Sequence, residues 1–390
     1  MPPYAVYLHI PFCIHRCGYC DFNTYAGLED LIPAYTAALV REIALVASSA
    51  GERLPVQSIF FGGGTPSLLS GAQLASILRT LEEAYQWLPE IEITLEANPG
   101  TVSLASLQEM RRLGVNRLSL GMQSAHPGEL RLLERQHDYS QVVSAVTAAR
   151  QAGFDNLNLD LIYGLPEQAL ATWQHSLELA LGLHPEHLSL YALSIEHGTP
   201  LKRWATRGLI SEPDPDQAAE MYEWADERLT AAGYEQYEIS NWSKVQHACR
   251  HNLQYWRGLP YLGLGAGAHG YANGARTANV LAPAAYIARL NDDAVQEFPR
   301  TPATASLTQV DRTAEIGETM MMGLRLTREG VSEADFQARF GQDLEEMFAG
   351  EINELQGYGL LEWAGEAPQR HLRLTPRGRL LGNQVFMRFI

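Results

Sequence analysis

Residues 9–22 read HIPFCIHRCGYCDF, and three cysteines in this run follow the spacing C-x3-C-x2-C: Cys13, Cys17 and Cys20. Three thiolates on a short loop can each bind one iron of a [4Fe-4S] cluster, which leaves the fourth iron open to a small chelating ligand. A single zinc ion with His9 or His15 as its fourth ligand is the alternative. The run therefore predicts a metal site, and its spacing alone leaves both kinds of site open.

Outward from this loop, short β-rich runs alternate with segments whose apolar residues recur at helical spacing. Strands are predicted over 5–9, 58–61, 92–96, 117–121, 156–161 and 187–191. Helices are predicted over 31–48, 71–85, 103–113, 140–152, 169–182 and 214–232. Six such units in succession predict an α/β fold whose parallel sheet curls into a full or partial TIM-type β/α barrel. A doubly wound open sheet is the alternative with the same periodicity.

The chemically unusual residues all follow these strands or end them. The cysteine loop comes after the first strand, the run Gly62-Gly63-Gly64-Thr65 follows the second, and Glu96 ends the third. Gln123 follows the fourth strand, and Asp160 lies near the end of the fifth. Because the carboxyl ends of parallel strands share one face of a barrel, we expect these side chains to form a single site.

The composition is that of a globular chain of 390 residues with 45 Asp and Glu against 29 Lys and Arg, a formal charge of −16. This charge disfavours nucleic acid and anionic lipid as partners. We expect no signal peptide and no membrane span, because the most apolar stretch, near 37–47, is interrupted by Arg41 and Glu42. Three of the four cysteines are clustered, which predicts a cytoplasmic, reducing location and no disulfide framework.

The pattern changes after residue 240 and predicts three parts: a barrel over 1–240, a connecting segment over 241–304 and a smaller domain over 305–390. In the last part, helices are predicted over 311–324, 332–340 and 343–356, followed by a hairpin of 360–363 with 371–374. This order is typical of an α+β winged-helix-like domain. With nine Arg, no Lys and thirteen Asp and Glu, that domain is a poor candidate for binding DNA.

Taken singly, the motifs outside the cysteine loop have more than one interpretation. The glycine run allows either a tight turn or the approach of a ligand to the backbone. Glu96 is either an ion-paired carboxylate or a ligand contact, whereas Asp160, inside an apolar strand, needs buried partners. The string His251-Asn252-Leu253-Gln254-Tyr255-Trp256 is most simply packing around a hydrogen-bonded histidine. The alternative is a heme region in which His251 binds the iron.

Together, these motifs resemble those of the radical S-adenosylmethionine (SAM) superfamily. The string over 7–22 is similar to the branch that contains oxygen-independent coproporphyrinogen III dehydrogenase and the heme chaperones, and further matching strings lie at 119–124, 133–137 and 158–166. The resemblance implies a [4Fe-4S] cluster on Cys13, Cys17 and Cys20 and makes zinc a minor alternative. It also implies a SAM site formed by Tyr7, Tyr19, Gly63, Gly64, Thr65, Glu96, Gln123, Arg135 and Asp160.

Two features resemble the heme chaperones more than the dehydrogenases. The string over 251–256 resembles an H-N-x-x-Y-W motif of the chaperones, which implies a heme region at His251, Tyr255 and Trp256. The dehydrogenases carry a fourth cysteine two residues after the third, where this chain has Phe22. The resemblance implies a heme chaperone, alone or as a homodimer, that passes heme to a membrane-associated respiratory apoprotein. The alternative is the dehydrogenase itself, which decarboxylates coproporphyrinogen III propionates after cleaving SAM.

Overall fold

The computed structural model describes residues 2–292, 296–367 and 369–390. The predicted parts 1–240, 241–304 and 305–390 thus include Met1, 293–295 and Pro368, which lie outside the described residues. In chain order, the strands are β1 (Tyr4–Ile10), β2 (Phe12–Cys13), β3 (Tyr25–Ala26), β4 (Pro55–Gly63), β5 (Gln86–Ala97), β6 (Arg117–Gln123), β7 (Leu157–Tyr163), β8 (His187–Ala192), β9 (Glu235–Glu238), β10 (Asn241–Ser243), β11 (Tyr261–Leu264), β12 (His269–Ala272), β13 (Ala275–Asn279), β14 (Thr304–Gln309), β15 (Val331–Ser332), β16 (Leu361–Ala364) and β17 (His371–Leu374).

The helices, also in chain order, are α1 (Ile32–Ser49), α2 (Gly71–Ala84), α3 (Leu104–Arg112), α4 (Pro127–Leu132), α5 (Tyr139–Gln151), α6 (Leu170–Leu181), α7 (Pro200–Thr206), α8 (Pro215–Ala231), α9 (Arg250–Trp256), α10 (Pro283–Arg289), α11 (Arg312–Gly323), α12 (Glu333–Phe340), α13 (Leu344–Met347), α14 (Ala349–Gly357), α15 (Pro376–Leu380) and α16 (Gly382–Phe386). The six strands and six helices predicted for the barrel are all present, within a few residues of their predicted ends.

The main sheet has the order β14-β13-β12-β11-β1-β4-β5-β6-β7-β8-β10-β9, and the strands from β1 to β8 in this order pair in parallel. In a flat sheet, β1 and β8 would lie about 24 Å apart. Residues that follow β1 and residues at the end of β8 nevertheless line one cavity. The sheet is therefore curled into a partial barrel, which confirms the predicted fold and excludes the doubly wound alternative.

Local sequence explains where the barrel elements begin and end. β1 and β6 are buried almost throughout, as expected for parallel strands covered on both faces. Helices α2, α3 and α5 begin at capping boxes, in which an N-cap side chain accepts from the backbone three residues on. Gly114 and Gly153 follow α3 and α5 with positive φ angles of 105° and 89°, a conformation that glycine adopts without strain.

The segment 241–304 does more than connect two domains. β11 pairs in parallel with β1 on the side opposite β4, and β12, β13 and β14 continue the sheet by antiparallel pairing. The segment therefore extends the barrel sheet past its first strand. Sequence periodicity misses this because its strands are short, at four to six residues each.

A buried carboxylate joins this extension to the first helix. The Glu42 side chain on α1 accepts hydrogen bonds from Gly265 N at 2.8 Å, Asn279 Nδ2 at 2.8 Å, Tyr286 Oη at 2.6 Å and Thr301 Oγ1 at 3.0 Å. Glu42 has no exposed surface.

Helix α1 is long and apolar enough to cross a membrane by length and composition alone. In this structure, however, its Leu39, Ile43 and Val46 belong to the barrel core.

The C-terminal part has its own hydrophobic core and a small sheet with the order β15-β17-β16. The predicted hairpin is present as β16 and β17, whereas the helix predicted over 343–356 is divided into α13 and α14 at Phe348. Contacts with the barrel run through Ile239, whose N–H donates to Arg325 O, and Thr327, whose hydroxyl donates to Gln236 O. The parts thus form a barrel with an α+β domain packed against it.

Replacing Glu42 with leucine tests the link between α1 and the sheet extension. The change leaves four buried donors without their acceptor, and we expect the free energy of unfolding to fall by about 3 kcal/mol. Urea denaturation followed by circular dichroism measures this loss. Glu83→Leu, at an exposed position on α2, is the matched control, and equal stability of the two variants would contradict the assigned role.

Candidate functional site

The carboxyl ends of the parallel strands surround a cavity of about 390 Å³. This volume lies within the range of sites for small molecules. The predicted residues that line the cavity are Cys13, Cys17, Tyr19, Cys20, Gly63, Gly64, Thr65, Glu96, Gln123, Arg135 and Asp160. As the barrel topology predicts, the structure thus brings together residues from the cysteine loop and from four strands, β4, β5, β6 and β7, and Arg135 joins them from the segment after α4.

Each of the three thiols has a hydrogen-bonding neighbour. Thr65 Oγ1 donates to Cys13 Sγ at 3.7 Å, Arg135 Nη1 donates to Cys17 Sγ at 3.6 Å, and Cys20 Sγ lies 3.7 Å from Thr24 Oγ1. Burial raises the pKa of the Cys13 and Cys17 thiols, and Arg135 acts in the opposite direction on both. A bound metal cation would favour the thiolate form of both residues, because it stabilises the negative charge in place of the water that burial removes.

His9 is not free to be the fourth ligand of a zinc ion. His9 Nδ1 lies 3.0 Å from Tyr7 Oη and its Nε2 lies 2.9 Å from Asn23 O, so both ring nitrogens have partners. Within the part of the chain that the structure describes, no three His, Cys, Asp or Glu side chains converge on one metal ion. Three thiolates on one loop suit a [4Fe-4S] cluster, in which each thiolate binds a different iron.

The glycine run packs directly under the cysteine loop. A Cβ on Gly63 would lie 2.5 Å from the His9 ring, and a Cβ on Gly64 would lie 2.6 Å from Phe12 O. Gly63 also has φ of +110°, which disfavours other residues. The N–H of Gly63 donates to Glu96 Oε2 at 3.1 Å, and those of Gly64 and Thr65 donate to backbone carbonyls. A ligand ammonium would therefore meet carbonyl oxygens of this run rather than its N–H groups.

Two buried carboxylates give the cavity its electrostatic character. Burial, together with the nearby Asp160 carboxylate, raises the pKa of Glu96 to about 8. Burial also raises the pKa of Asp160, which accepts from Ser119 Oγ at 2.9 Å and Asn158 Nδ2 at 2.8 Å. Arg117, buried deeper in the barrel, partly compensates both charges. A cationic ligand would bind well here, and SAM carries both a sulfonium and an ammonium group.

The remaining predicted residues connect the thiols to the strand ends. Arg135 Nη2 donates to Gly121 O at 2.9 Å and to Asn98 Oδ1, while Asn98 Nδ2 donates to Thr65 Oγ1 at 3.0 Å. Tyr19 is half-buried beside Arg135, and the loss of water around its hydroxyl raises its pKa. Gln123 has φ of +63° at the end of β6, a strained conformation of a kind found at functional sites.

Among the lining residues that sequence reasoning missed, two lie next to the predicted SAM contacts. Asn98 joins Arg135 to Thr65, and Tyr191, which is 44% exposed, stands over the cavity at the end of β8. Both residues lie at or directly after the carboxyl end of a strand. The expectation that residues at these strand ends form one site, which predicted Glu96, therefore applies to them as well. Asn98 and Tyr191 are common residue types, and their chemistry alone gave no signal.

Tyr7 and the predicted heme region lie away from the cavity lining. Tyr7 Oη bonds His9 Nδ1, and its ring packs on Phe60. His251 is 1% exposed, with Nδ1 3.1 Å from Ser58 Oγ and Nε2 2.8 Å from Tyr255 Oη. Ser58 precedes Gly63 by five residues on β4, a distance of about 16 Å. The imidazole therefore lies deep in the barrel interior.

The environment of His251 favours a structural role. Burial, reinforced by Arg117, lowers the pKa of His251 to about 3, which keeps the imidazole neutral. The N–H groups of Arg250 and His251 both donate to the Glu92 carboxylate at the start of α9. Trp256, at the end of this helix, faces the Arg325 guanidinium at 5.2 Å. His251 would reach a heme iron only if this helix moved. Of the two interpretations that the sequence allowed, a hydrogen-bonded histidine within the packing describes its place in the structure.

Comparison with known proteins agrees with the geometry. The profile of the Radical SAM superfamily matches residues 7–180, and that of the HemN C-terminal domain matches residues 310–381. The heme chaperone HemW of Bacillus subtilis (strain 168) is 37% identical over 387 residues, covering 99% of this chain and 99% of that protein. The chain belongs to the heme chaperone HemW family. HemW of Mycobacterium tuberculosis (strain ATCC 25618 / H37Rv) is 39% identical, covering 98% of this chain and 94% of that protein.

A solved structure shows the same fold outside the HemW family. Coproporphyrinogen III oxidase (HemN) from Escherichia coli, described as a radical SAM enzyme, matches with a TM-score of 0.82, covering 99% of this chain and 90% of that one. At 23% sequence identity, this likeness establishes the architecture alone. The partial barrel and the C-terminal α+β domain are therefore common to HemW proteins and to an enzyme.

The raised pKa of Glu96 predicts a pH-dependent loss of stability in the cofactor-free protein. An unfolded Glu has a pKa of about 4.3, so between that pH and about 8 the folded state holds a proton that the unfolded state has lost. Stability should therefore fall as the pH rises through this window. Relative to Glu96→Gln, we expect the wild type to lose about 2–4 kcal/mol between about pH 5 and about pH 8. Urea denaturation at both pH values measures the difference, and a constant difference would contradict the prediction.

The fourth cysteine provides a control for the cluster ligands. Cys249 Sγ donates to Glu92 Oε1 at 3.4 Å in the barrel interior, and burial raises its pKa to about 12. We expect Cys249→Ala to keep the iron and sulfide content of the wild type after anaerobic reconstitution. Single alanine variants of Cys13, Cys17 and Cys20 should each lose most of it. Loss of the cluster from Cys249→Ala alone would reject the assigned ligand set.

Proposed function

We propose that this member of the HemW family binds heme and transfers it to an apoprotein of the respiratory chain. Similarity to proteins named heme chaperone HemW along nearly the whole chain supports this proposal. The observation that carries it within the site is Phe22. Its side chain lies at the cavity mouth and is 64% exposed, at the position where the dehydrogenases are expected to carry a further cysteine. An exposed aromatic ring there suits contact with an apolar macrocycle.

We also propose that the cavity holds a [4Fe-4S] cluster and SAM. Cys13, Cys17 and Cys20 would hold the cluster, while Glu96 and Asp160 would attract the cationic groups of SAM. A reduced cluster of this kind supplies the electron for reductive cleavage of SAM. In this chain, Arg135 and Thr65 would stabilise the thiolates through their hydrogen bonds to Cys17 and Cys13. Cleavage of SAM need not be part of heme transfer, since binding and release require no covalent step.

The proposed setting is the cytoplasm, with an acceptor that is associated with the membrane. The acidic net charge of −16 supports a partner other than nucleic acid. Assembly as a homodimer belongs to the same proposal, because cavity mouths with exposed aromatic rings also suit contact between two copies.

Heme transfer and porphyrinogen turnover, measured on the same preparation, test this function. Full-length protein is reconstituted anaerobically, titrated with heme, and then mixed with membrane vesicles that contain a heme-free cytochrome. We expect saturable, equimolar heme binding followed by appearance of the holocytochrome spectrum. We also expect coproporphyrinogen III to remain unchanged when SAM and a reductant are added. Conversion of coproporphyrinogen III without heme transfer would establish the enzyme instead.

The variant that lacks all three loop cysteines is the matched control for the cluster. If it binds heme but does not transfer it, the cluster acts in release. If it transfers heme as well as the wild type does, the cluster takes no part in transfer, and heme carriage itself stands.

A further inference from the structure

The cysteine loop points its cysteines inward and other side chains outward. Ile14 is 65% exposed and Phe22 is 64% exposed, and the His15 side chain is 42% exposed. Large apolar side chains are exposed singly on many surfaces, but two on one loop around a cavity mouth indicate an interaction surface. His15, Arg16 and Phe22 all line the cavity. An imidazole, a guanidinium and an aromatic ring thus stand together at its rim.

The three side chains are held close by the local backbone. Arg16 Nη2 donates to Cys20 O at 3.2 Å and to Phe22 O at 3.5 Å. The guanidinium therefore lies against the turn that carries the Phe22 ring. His15, next in sequence to Arg16, places Nε2 4.0 Å from Glu134 Oε2. The Glu134 carboxylate thus lies on the Nε2 side of the ring and leaves Nδ1 for a metal.

This set of groups matches the chemistry of heme. Heme offers an iron that imidazole binds, an apolar ring system, and two propionates on one edge. Arg16 can receive a propionate, because guanidinium binds carboxylate with charge-assisted hydrogen bonds. Asp21 and Glu196 also line the mouth and would repel a propionate, so the propionate edge should point toward Arg16. His251 offers no comparable site, because its imidazole is buried and both of its nitrogens have partners.

We propose that His15 is an axial ligand of the heme iron and that heme lies over the cavity mouth, with Phe22 against the macrocycle and Arg16 on a propionate. This inference rests on the proposed function, since it assumes that heme is the cargo. It places the cargo on the same loop as the cluster thiols. Heme binding and cluster binding are then neighbouring events rather than events at opposite ends of the barrel.

Heme titration of the reconstituted, full-length protein tests this assignment. We expect His15→Ala to bind heme at least about tenfold more weakly and to lose the absorption and EPR signals of histidine-ligated iron. Added imidazole should restore those signals, which a general folding defect would not allow. Phe22→Ser should weaken binding without changing the axial-ligand spectrum. Iron and sulfide contents equal to those of the wild type would show that the cluster is retained.

Two histidine variants serve as controls, and they separate this inference from the proposed function. His175→Ala, at an exposed position on α6, and His251→Gln should both keep the wild-type heme spectrum. If His251→Gln loses that spectrum while His15→Ala keeps it, His15 is not the ligand, and the proposed function still stands. If the wild type binds no heme, the proposed function itself fails. If Phe22→Ser changes only the oligomeric state, the rim is a contact between copies, and the inference is overturned.

Discussion

The close contact between the cysteine loop and the glycine run is the constraint on which the site depends. Gly64 and Thr65 donate backbone hydrogen bonds to Ile10 O and Phe12 O, both at 2.8 Å. A side chain at Gly64 would collide with this carbonyl backbone. Because the loop carries all three clustered thiols, its position against the end of β4 also fixes where a cluster would stand relative to the buried carboxylates.

Electrostatics then explains why a cationic ligand would be stabilised at this end of the barrel. Burial raises the pKa of Glu96, Asp160, Cys13 and Cys17, which shifts each group toward its neutral form when no cation is near. Cluster irons and a sulfonium ligand would reverse that preference at both ends of the cavity. The superfamily implies a [4Fe-4S] cluster and SAM, and these four residues therefore suit both cofactors. The same cavity opens at a rim of exposed aromatic and aliphatic side chains, which is where a large apolar cargo would be received.

Much of this arrangement could be predicted from the sequence, because the order of strands fixes which residues meet. Glu96, Gln123 and Asp160 are far apart along the chain, yet each lies in the carboxyl-terminal part or the middle of a parallel strand, so topology alone places them together. The sheet extension could not be predicted in this way. Its place beside β1 depends on long-range contacts of Glu42 with residues more than 200 positions away. For His251, the local sequence indicated a hydrogen-bonded histidine within the packing, as the structure has it, but its partner Ser58 could not be predicted, because that contact joins residues 193 positions apart.

The central claim is that three thiolates hold a cluster whose open iron faces a SAM site. The most direct measurement is the EPR spectrum of the dithionite-reduced, reconstituted protein with and without SAM labelled with ¹⁵N at its amine. The account predicts a signal of a reduced [4Fe-4S] cluster that changes when SAM is added, with a hyperfine coupling to the labelled nitrogen. A signal that SAM leaves unchanged, or a protein that retains zinc and no iron, would contradict it.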